Sequence, residues 1–502
     1  MSEHFQATLT GVVFAAGAGS LATEIAASRL LAPYFGNSTI VWANVIGLIL
    51  ASLSLGYWLG GRLADRRPTP RALGAVVVGA ACLIAVIPFV ARPLLDLSVE
   101  GLDRVSAGAA IGSFFGVLVL FVPPVVLLGM VAPYAIRLAL TDLASAGTVA
   151  GRLYAVSTVG SLLGTFLSAL VLIPAIGTQR TLLASSVLIG LGGAILLGRR
   201  WLVLAVALAA LLLIPPGAVK AQEGLLFEDE SRYQFIQVVE REGVRRLYLD
   251  EGLATHSVWR EGEVLTGGVW DTYLAVPDLL GRPPERVAML GNAAGTAARA
   301  FARYYPLARI DGVELDPAVS KAGRRFFEMG QTSTLTVHDD DARSYLRRTD
   351  ATYDLIIVDA YRPPYVPFYL ATKEFFELVR DRLNPGGIVA LNVATTPDDH
   401  SLAEHIGGTL ASVLPRVLAW QPLRFNQMVI GQNGAPAGSV RPAPEDVKVL
   451  VDDLRRNARP VEPADDPWTD DRAPVEWVTD RMIVEFAAEG GRFEEAPLPT
   501  LP

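Results

Sequence analysis

Cysteine and histidine are scarce in this chain of 502 residues. The one cysteine, Cys82, excludes a disulfide within the chain and a cysteine-based metal site. The five histidines show no spacing typical of ligands, so no catalytic metal is expected. The formal net charge is −8, and no nucleic-acid partner is expected.

Charge and hydrophobicity divide the chain into two parts. Residues 1–220 hold 13 Lys and Arg against 7 Asp and Glu, net +6, whereas residues 221–502 hold 30 against 44, net −14. The mean hydropathy of +0.37 is high for a soluble protein. Apolar runs of about the length that spans a bilayer lie near 8–31, 39–60, 72–91, 107–129, 150–176, 181–197 and 201–219. The sequence predicts a multi-pass bundle of seven or eight helices in the inner cell membrane, with the lipid bilayer as a partner.

Basic loops predict the orientation of this bundle. Arginines cluster between the second and third runs, in residues 62–71, and between the sixth and seventh, at Arg199 and Arg200. Basic loops favour the cytoplasmic side, so both loops and the N-terminus are predicted there. Seven spans would place the second part of the chain outside. A double crossing by residues 107–140, or a last run that does not cross, would place it inside.

The second part is organised around residues 286–317. An apolar strand over 286–290 precedes a turn of small residues from Gly291 to Gly295, a helical run, and a second strand that ends at Glu314. This order is the first half of a nucleotide-binding βαβ unit. The small residues allow a ligand close to the backbone, and Glu314 is placed to accept hydrogen bonds from two ribose hydroxyls. The spacing suits an adenosyl group.

The flanking patterns complete the predicted fold class. Alternating residues over 233–240 and 246–250 indicate a hairpin, and core strands are predicted near 286–290, 310–314, 334–337, 354–358 and 387–392. Residues 435–470, rich in proline and acids, are expected to wrap the surface. The prediction is an α-helical membrane bundle over 1–220, a small β-hairpin domain over 221–280, and an α/β doubly wound, Rossmann-like domain over 281–502.

Acidic residues follow several of the predicted core strands. Glu314 and Asp316 end one strand, Asp341 follows another, and Asp359 ends a third. Each alone is more often a helix cap or a solvated loop acid. Because ligands of such sheets bind at the carboxyl ends of the strands, the acids together with the glycine turn favour a site.

Several motifs of the second part resemble the polyamine aminopropyltransferase (spermidine synthase) family. They are Ser231-Arg-Tyr-Gln234, Leu249-Asp250, Val313-Glu-Leu-Asp316, Asp341-Ala342, Tyr353-Asp-x4-Asp359 and Leu383-Asn-Pro-Gly-Gly387. The first part resembles the bacterial form in which this domain is fused to a multispan segment. That likeness is carried by Gly129-Met-Val-Ala-Pro133, Gly151-Arg-Leu-Tyr154 and Leu172-Ile-Pro174, and by Thr469-Asp-Asp-Arg-Ala-Pro-Val-Glu476 near the C-terminus.

The resemblance implies a transferase of polyamine biosynthesis with an S-adenosylmethionine-type fold. Its donor would be decarboxylated S-adenosylmethionine or S-adenosylmethionine itself, bound by Gln234, Gly291, Asn292, Gly295, Glu314, Asp316, Asp341 and Ala342. Asp359 would act on the amine or polyamine acceptor, and Tyr233, Trp270, Asp271, Tyr361 and Arg362 would bind that acceptor. A homodimer without a metal is expected. Because adenosyl donors are made in the cytoplasm, the transferase domain is expected there.

Three positions depart from the family pattern. Ala293 replaces the acid of the glycine turn, Val269-Trp270-Asp271 replaces Tyr-His-Glu, and Arg362 replaces the second acid of Asp-x-x-Asp. These changes argue against putrescine bound in the usual way, because acids that would hold ammonium groups are absent. Two alternatives stay open: an S-adenosylmethionine-dependent methyltransferase, and a polyamine-sensing or transport protein whose soluble domain is not catalytic.

Overall fold

The structure, a computed structural model, describes residues 3–36, 39–102, 108–215, 217–250, 254–361, 365–436 and 445–491. The chain forms two compact units. The first contains Met1–Ala221 and Glu228–Phe235, and the second contains Gln222–Phe227 and Ile236–Pro502. The domain limits at 220 and 280 stay predictions.

The described residues of the longer segment of the first unit are mostly helical. Its α-helices are α1 (Glu3–Phe35), α2 (Thr39–Arg66), α3 (Pro70–Leu102), α4 (Gly108–Leu120), α5 (Val122–Gly129), α6 (Val131–Ala139), α7 (Ala146–Leu167), α8 (Ile173–Leu197) and α9 (Leu202–Leu211). Within the described ranges, five helical stretches are long and apolar enough to cross a membrane: Glu3–Phe35, Thr39–Arg66, Pro70–Ser98, Val122–Ala139 and Leu143–Leu197. The predicted run 107–129 is divided at Phe121, and α7 continues into α8 through a π-helical turn, Ser168–Leu172. The number of crossings stays a prediction.

Small residues bring the helices of this unit close together. A Cβ on Gly160 would lie 2.4 Å from the Phe14 carbonyl oxygen, and one on Gly56 would lie 2.3 Å from that of Val126. No larger side chain fits at either contact, because both distances are below van der Waals contact. Gly160 and Gly56 thus allow the backbones of neighbouring helices to approach closely.

A four-stranded sheet, in the order β1-β2-β3-β4, begins the β-containing part of the chain. Its strands are β1 (Leu225–Glu230), β2 (Phe235–Arg241), β3 (Val244–Leu249) and β4 (Thr255–Arg260). The predicted hairpin is β2 paired antiparallel with β3, and positive φ angles at Glu242 and Gly243 make its two-residue turn. Val238 and Leu247 pack in one core with Phe327, which follows the helix over Pro317–Phe326. The four-stranded sheet therefore shares a core with the α/β part of the chain.

The second sheet has eight strands in the described part, in the order β12-β10-β11-β9-β8-β5-β6-β7. The strands are β5 (Arg286–Leu290), β6 (Arg309–Glu314), β7 (Leu335–Asp339), β8 (Tyr353–Val358), β9 (Leu383–Ala394), β10 (Arg416–Leu423), β11 (Asn426–Gln432) and β12 (Arg459–Pro460). Strands β5 to β9 pair in parallel and correspond to the five predicted core strands. Strands β10 to β12 add an antiparallel edge beside β9.

Helices cover both faces of this sheet. They are α10 (Val269–Thr272), α11 (Thr296–Tyr304), α12 (Pro317–Phe326), α13 (Ala342–Arg348), α14 (Lys373–Arg382), α15 (Ser401–Ala411), α16 (Lys448–Asn457) and α17 (Val475–Ala488). Val287 and Met289 of β5 pack in one core with α11, whereas Ala288 and Leu290 pack in another with α13 and α14. This alternation is that of a strand buried on both sides, and it confirms the doubly wound, Rossmann-like fold.

Candidate functional site

The turn after β5 closes tightly against the loop after β8. Gly291 has a φ of +93°, and a Cβ there would lie 2.3 Å from the Asp359 carbonyl oxygen. The N–H groups of Gly291 and Asn292 both donate to the Val313 carbonyl oxygen, at 2.9 and 3.0 Å. The Asp359 N–H donates to the Leu290 carbonyl oxygen at 2.8 Å. The backbone thus holds the ends of β5, β6 and β8 together, and Gly291 has room for no side chain.

Glu314 is buried at the end of β6 and bridges two loops. Its Oε2 accepts from the Ala293 N–H at 2.9 Å, and its Oε1 accepts from the Asp316 N–H at 3.0 Å. Burial raises the pKa of Glu314 to about 7, although both N–H bonds lower it. A carboxylate offers about four lone-pair positions. Two positions therefore remain open, and the binding of ribose hydroxyls by Glu314 stays a prediction.

Two further acids at this edge cap helices. Asp316 accepts from the Ala318 N–H at 3.0 Å at the start of α12. Asp341 accepts from the Ser344 N–H at 2.8 Å at the start of α13, and its other oxygen accepts from the Tyr369 hydroxyl at 3.1 Å. Both acids thus have the cap geometry that is common for such residues. Their binding of a donor stays a prediction.

Three more residues of the predicted donor site lie at the same edge. The Asn292 Nδ2 lies 3.3 Å from the Met329 sulfur, and its Oδ1 lies within 2.8 Å of where a Cβ on Gly312 would be. Gly295 has a φ of +84° and precedes α11, and Ala342 is the first residue of α13. The side chain of Asn292 is thus packed under the turn. Its role and those of Gly295 and Ala342 stay predictions.

Asp359 is held at the end of β8 by a chain of amides. The Asn392 Nδ2 donates to Asp359 Oδ1 at 3.0 Å, and the Asn392 Oδ1 accepts from the Asn426 Nδ2 at 2.9 Å. The Tyr361 hydroxyl donates to the Asn392 carbonyl oxygen at 2.9 Å. The Tyr273 hydroxyl has no hydrogen-bond partner among the described residues, but it lies near the Asp359 carboxylate and lowers its pKa. Burial raises the pKa of Asp359 and outweighs the lowering by Asn392 and Tyr273.

The predicted acceptor residues Trp270 and Asp271 lie on α10. Trp270 packs in the sheet core and is 8% exposed. Asp271 accepts from the N–H groups of Thr266 and Gly267 at 2.8 and 2.6 Å, and burial raises its pKa to about 6. Both carboxylate oxygens of Asp271 therefore already bind the loop that precedes α10. Contact of either residue with an acceptor stays a prediction.

Three predicted site residues lie elsewhere in the chain. Tyr233 and Gln234 belong to the first compact unit, where their N–H groups donate to the Ser231 hydroxyl at 2.9 and 3.0 Å. Arg362 lies outside the described residues. Binding of donor or acceptor by these three residues stays a prediction.

Several residues around Asp359 and the turn were missed by sequence reasoning. Asn392 and Asn426 orient the carboxylate, Tyr273 faces it, and the Ser257 hydroxyl accepts from the Ala294 N–H at 2.9 Å. Asn392 is the single polar residue within the apolar run 388–393, and a buried amide needs a partner. The lone amide Asn392 was therefore the one signal in the sequence that could have indicated these residues. Asn426, Tyr273 and Ser257 stand in no local sequence pattern of this kind.

These features define a Rossmann-like α/β protein with a candidate site at one edge of its sheet. A glycine turn, an acid at the end of the next strand and a second acid across the turn lie at the carboxyl edge of a parallel sheet. Ligands of Rossmann-like proteins bind at this edge. Within the described ranges, no group of three or more His, Cys, Asp or Glu side chains is arranged to hold a metal ion.

Comparison with known proteins assigns a family within this class. The spermine/spermidine synthase domain family matches residues 272–419. The polyamine aminopropyltransferase of Mycobacterium tuberculosis is 30% identical over 432 residues, which are 78% of each chain. The "Probable polyamine aminopropyl transferase" of Bifidobacterium longum is 30% identical over 293 residues, 53% of this chain and 65% of that protein. A solved spermidine synthase in complex with the transition-state analogue AdoDATO aligns at a TM-score of 0.37 and 20% identity, over 43% of this chain and 77% of the other.

The chain belongs to the polyamine aminopropyltransferase family, because the relative from Mycobacterium tuberculosis matches over more than two thirds of its length. The resemblance inferred from the motifs is thereby confirmed. The chain spans less than two thirds of the length of other curated relatives, 65% for Bifidobacterium longum and 44% for Vibrio vulnificus.

Proposed function

We propose that this protein is a membrane-anchored aminopropyltransferase, which moves an aminopropyl group from decarboxylated S-adenosylmethionine to an amine acceptor. The observation that carries the proposal is the position of Asp359. Its carboxylate is partly buried, is oriented by Asn392, and lies across the turn at Gly291 from the ribose-binding candidate Glu314. Family membership supports the same reaction.

The reaction needs a neutral amine beside a sulfonium carbon. The amine nitrogen forms a bond to the propyl carbon, the carbon–sulfur bond breaks, and its electron pair stays on sulfur as a neutral thioether. The new ammonium then loses one proton. A free amine has a pKa near 10 and is mostly protonated at neutral pH. We infer that Asp359 orients the amine and accepts the proton that the new ammonium loses; its raised pKa, which makes it a stronger base than an ordinary aspartate, supports this role.

Binding of the donor is expected to depend on pH through Glu314. Only the ionised carboxylate accepts from two ribose hydroxyls, and the pKa of about 7 leaves Glu314 largely protonated at pH 6. Affinity should therefore rise about tenfold from pH 6 to pH 8, with release of a proton on binding. Glu314→Gln should remove this dependence and weaken binding at pH 8 by about 1–3 kcal/mol. Titration calorimetry at both pH values measures both effects.

An exposed glutamate provides the control for that titration. Glu261→Gln, outside the site, should keep the affinity and the pH dependence of the unmodified protein. Equal affinity at pH 6 and pH 8 in the unmodified protein would remove Glu314 from donor binding.

The helices of the first unit support the membrane anchor. Five described stretches have the length and composition to cross a bilayer. The segment over residues 62–71, which holds the end of α2, the loop 67–69 and the start of α3, is proposed to be cytoplasmic because of its arginines. The transferase domain is proposed to lie on the same side, where adenosyl donors are made, and the predicted homodimer remains part of the proposal.

Cysteine labelling in cells tests this topology, since the chain has one native cysteine. In a Cys82→Ser background, Thr69→Cys and an exposed position of the second unit, Glu261→Cys, should both resist a reagent that cannot cross the membrane. Both should react after the cells are opened. Labelling of position 69 in intact cells would reverse the orientation, and labelling of position 261 alone would place the transferase domain outside.

Methyl transfer is the second candidate, and Ala293 favours it. S-adenosylmethionine carries a carboxylate that the decarboxylated donor lacks, and the family acid that would repel this carboxylate is replaced here by Ala293. The same sheet and acids would hold S-adenosylmethionine. The two reactions differ in their adenosyl product, which is methylthioadenosine for aminopropyl transfer and S-adenosylhomocysteine for methyl transfer.

A further inference from the structure

A cavity of about 540 Å³ lies within the first unit, between α3, α8 and the segment after α9. Near the opposite end of α8, α3 and α8 are in close contact, because a Cβ on Gly74 would lie 2.9 Å from the Gly193 carbonyl oxygen. At the cavity, α3 carries Pro88 and Pro93 within the helix, and proline bends a helix. The volume lies in the range of small-molecule sites.

Arg180 is one of two arginines that line this cavity. Its Nε is buried and has no hydrogen-bond partner among the described residues. The second arginine of the cavity, Arg92, forms an ion pair with Asp96, with 3.6 Å between Arg92 Nε and Asp96 Oδ2. A guanidinium with a buried, unsatisfied N–H is costly unless an anion binds it.

Three acids line a neighbouring cavity and accept hydrogen bonds from other donors; Asp229 accepts from the Glu230 N–H at 2.9 Å. Glu230 accepts from the Thr178 N–H and hydroxyl at 2.8 and 2.5 Å. Glu228 accepts from the Val219 N–H at 2.7 Å. Arg180 also borders this neighbouring cavity. Within the described residues, no ion pair joins Arg180 to any of these acids.

The position of the cavity along the helices selects the kind of anion. Arg92 follows the apolar run 72–91, and Arg180 precedes the apolar run 181–197. The wall beside Arg180 is apolar and includes Phe89, Leu183 and Ile214. Basic side chains at the ends of membrane helices lie at the level of the phospholipid headgroups. A ligand with one anionic group and an attached hydrocarbon chain matches this arrangement.

We propose that the cavity binds one anionic phospholipid, whose phosphate pairs with Arg180 and whose first acyl carbons pack on Phe89 and Leu183. The inference rests on the proposed location of the first unit in a membrane but not on the transferase reaction. The headgroup would hold α3 and α8 at a fixed separation. The lipid therefore acts as a structural ligand of the anchor.

Native mass spectrometry of the full-length protein in detergent tests the site. The protein is titrated with phosphatidylglycerol and, separately, with phosphatidylcholine. The unmodified protein should retain one phosphatidylglycerol molecule in preference to phosphatidylcholine. Arg180→Gln, which removes the charge and keeps a polar side chain, should bind that molecule about tenfold more weakly. Arg180→Lys should keep part of the preference, because the charge remains.

Arg152→Gln is the matched control, since Arg152 is an exposed arginine of α7 that does not line the cavity. Its lipid binding should equal that of the unmodified protein. Equal retention of both lipids, or unchanged phosphatidylglycerol binding in Arg180→Gln, would overturn the proposal. Displacement of the lipid by millimolar inorganic phosphate would also overturn it, in favour of a site for soluble anions. If Arg180→Gln does not fold, the lipid preference of Arg180→Lys and the comparison of the two lipids in the unmodified protein still test the proposal.

Discussion

Asp359→Asn is expected to lower turnover about 100-fold or more while donor affinity stays within about twofold. The amide keeps the size of the side chain, and its oxygen still accepts from the Asn392 Nδ2, which now lies 3.0 Å from Asp359 Oδ1. Only the negative charge that accepts the amine proton is lost. Steady-state kinetics with saturating donor, together with calorimetry of donor binding, measures the two quantities separately.

Protein stability separates a catalytic from a structural role for Asp359. Its pKa is raised by burial, so its ionisation destabilises the folded protein and stability falls as the pH rises through that pKa. The Asn variant should therefore unfold at the same or a higher temperature than the unmodified protein at pH 8. Asp350→Asn, at an exposed position, should change neither turnover nor unfolding temperature. Wild-type turnover in Asp359→Asn would exclude a catalytic role for Asp359.

Gly291→Ala is expected to abolish both donor binding and turnover. A Cβ there would lie 2.3 Å from the Asp359 carbonyl oxygen and 2.7 Å from the Ala360 Cα, so backbone on one side must move. The φ of +93° adds strain of about 1–3 kcal/mol for any side chain. The displacement would separate the glycine turn from Asp359, and losses above about 100-fold follow from such misplacement.

Gly330→Ala is the control for this substitution, because a Cβ there meets no atom within 4 Å. It should retain donor affinity and turnover. Calorimetry with the donor and circular dichroism of both variants distinguish a lost site from an unfolded protein. Retained donor affinity in Gly291→Ala would show that the close contact between the two loops is dispensable.

The parallel core of the second unit could be predicted because its patterns are local. Strands β5 to β9 are short apolar runs, and Glu314 and Asp359 each end one of them. Strand ends of a parallel sheet share one edge, so their convergence follows from order along the chain. The Gly291 turn was likewise recognisable from its small residues.

Features made by contacts distant in sequence could not be predicted. Strands β10 and β11 form an antiparallel edge, and β11 supplies Asn426, which orients Asn392 from 34 positions away in the sequence. Tyr273 reaches Asp359 from before the sheet begins. The segment 435–470, expected only to wrap the surface, contains α16, whose Val451 and Leu454 are buried. Its apolar face was obscured by the charged residues between them.

The most direct test of the account is the identity of the adenosyl product. Purified full-length protein is incubated with an amine acceptor and either decarboxylated S-adenosylmethionine or S-adenosylmethionine, and the products are identified by mass spectrometry. We expect methylthioadenosine and an equal amount of aminopropylated amine from the decarboxylated donor, both formed about 100-fold or more slowly in Asp359→Asn. S-adenosylhomocysteine with a methylated acceptor would establish methyl transfer instead. Donor binding without any product would contradict the proposed catalysis and favour a sensor.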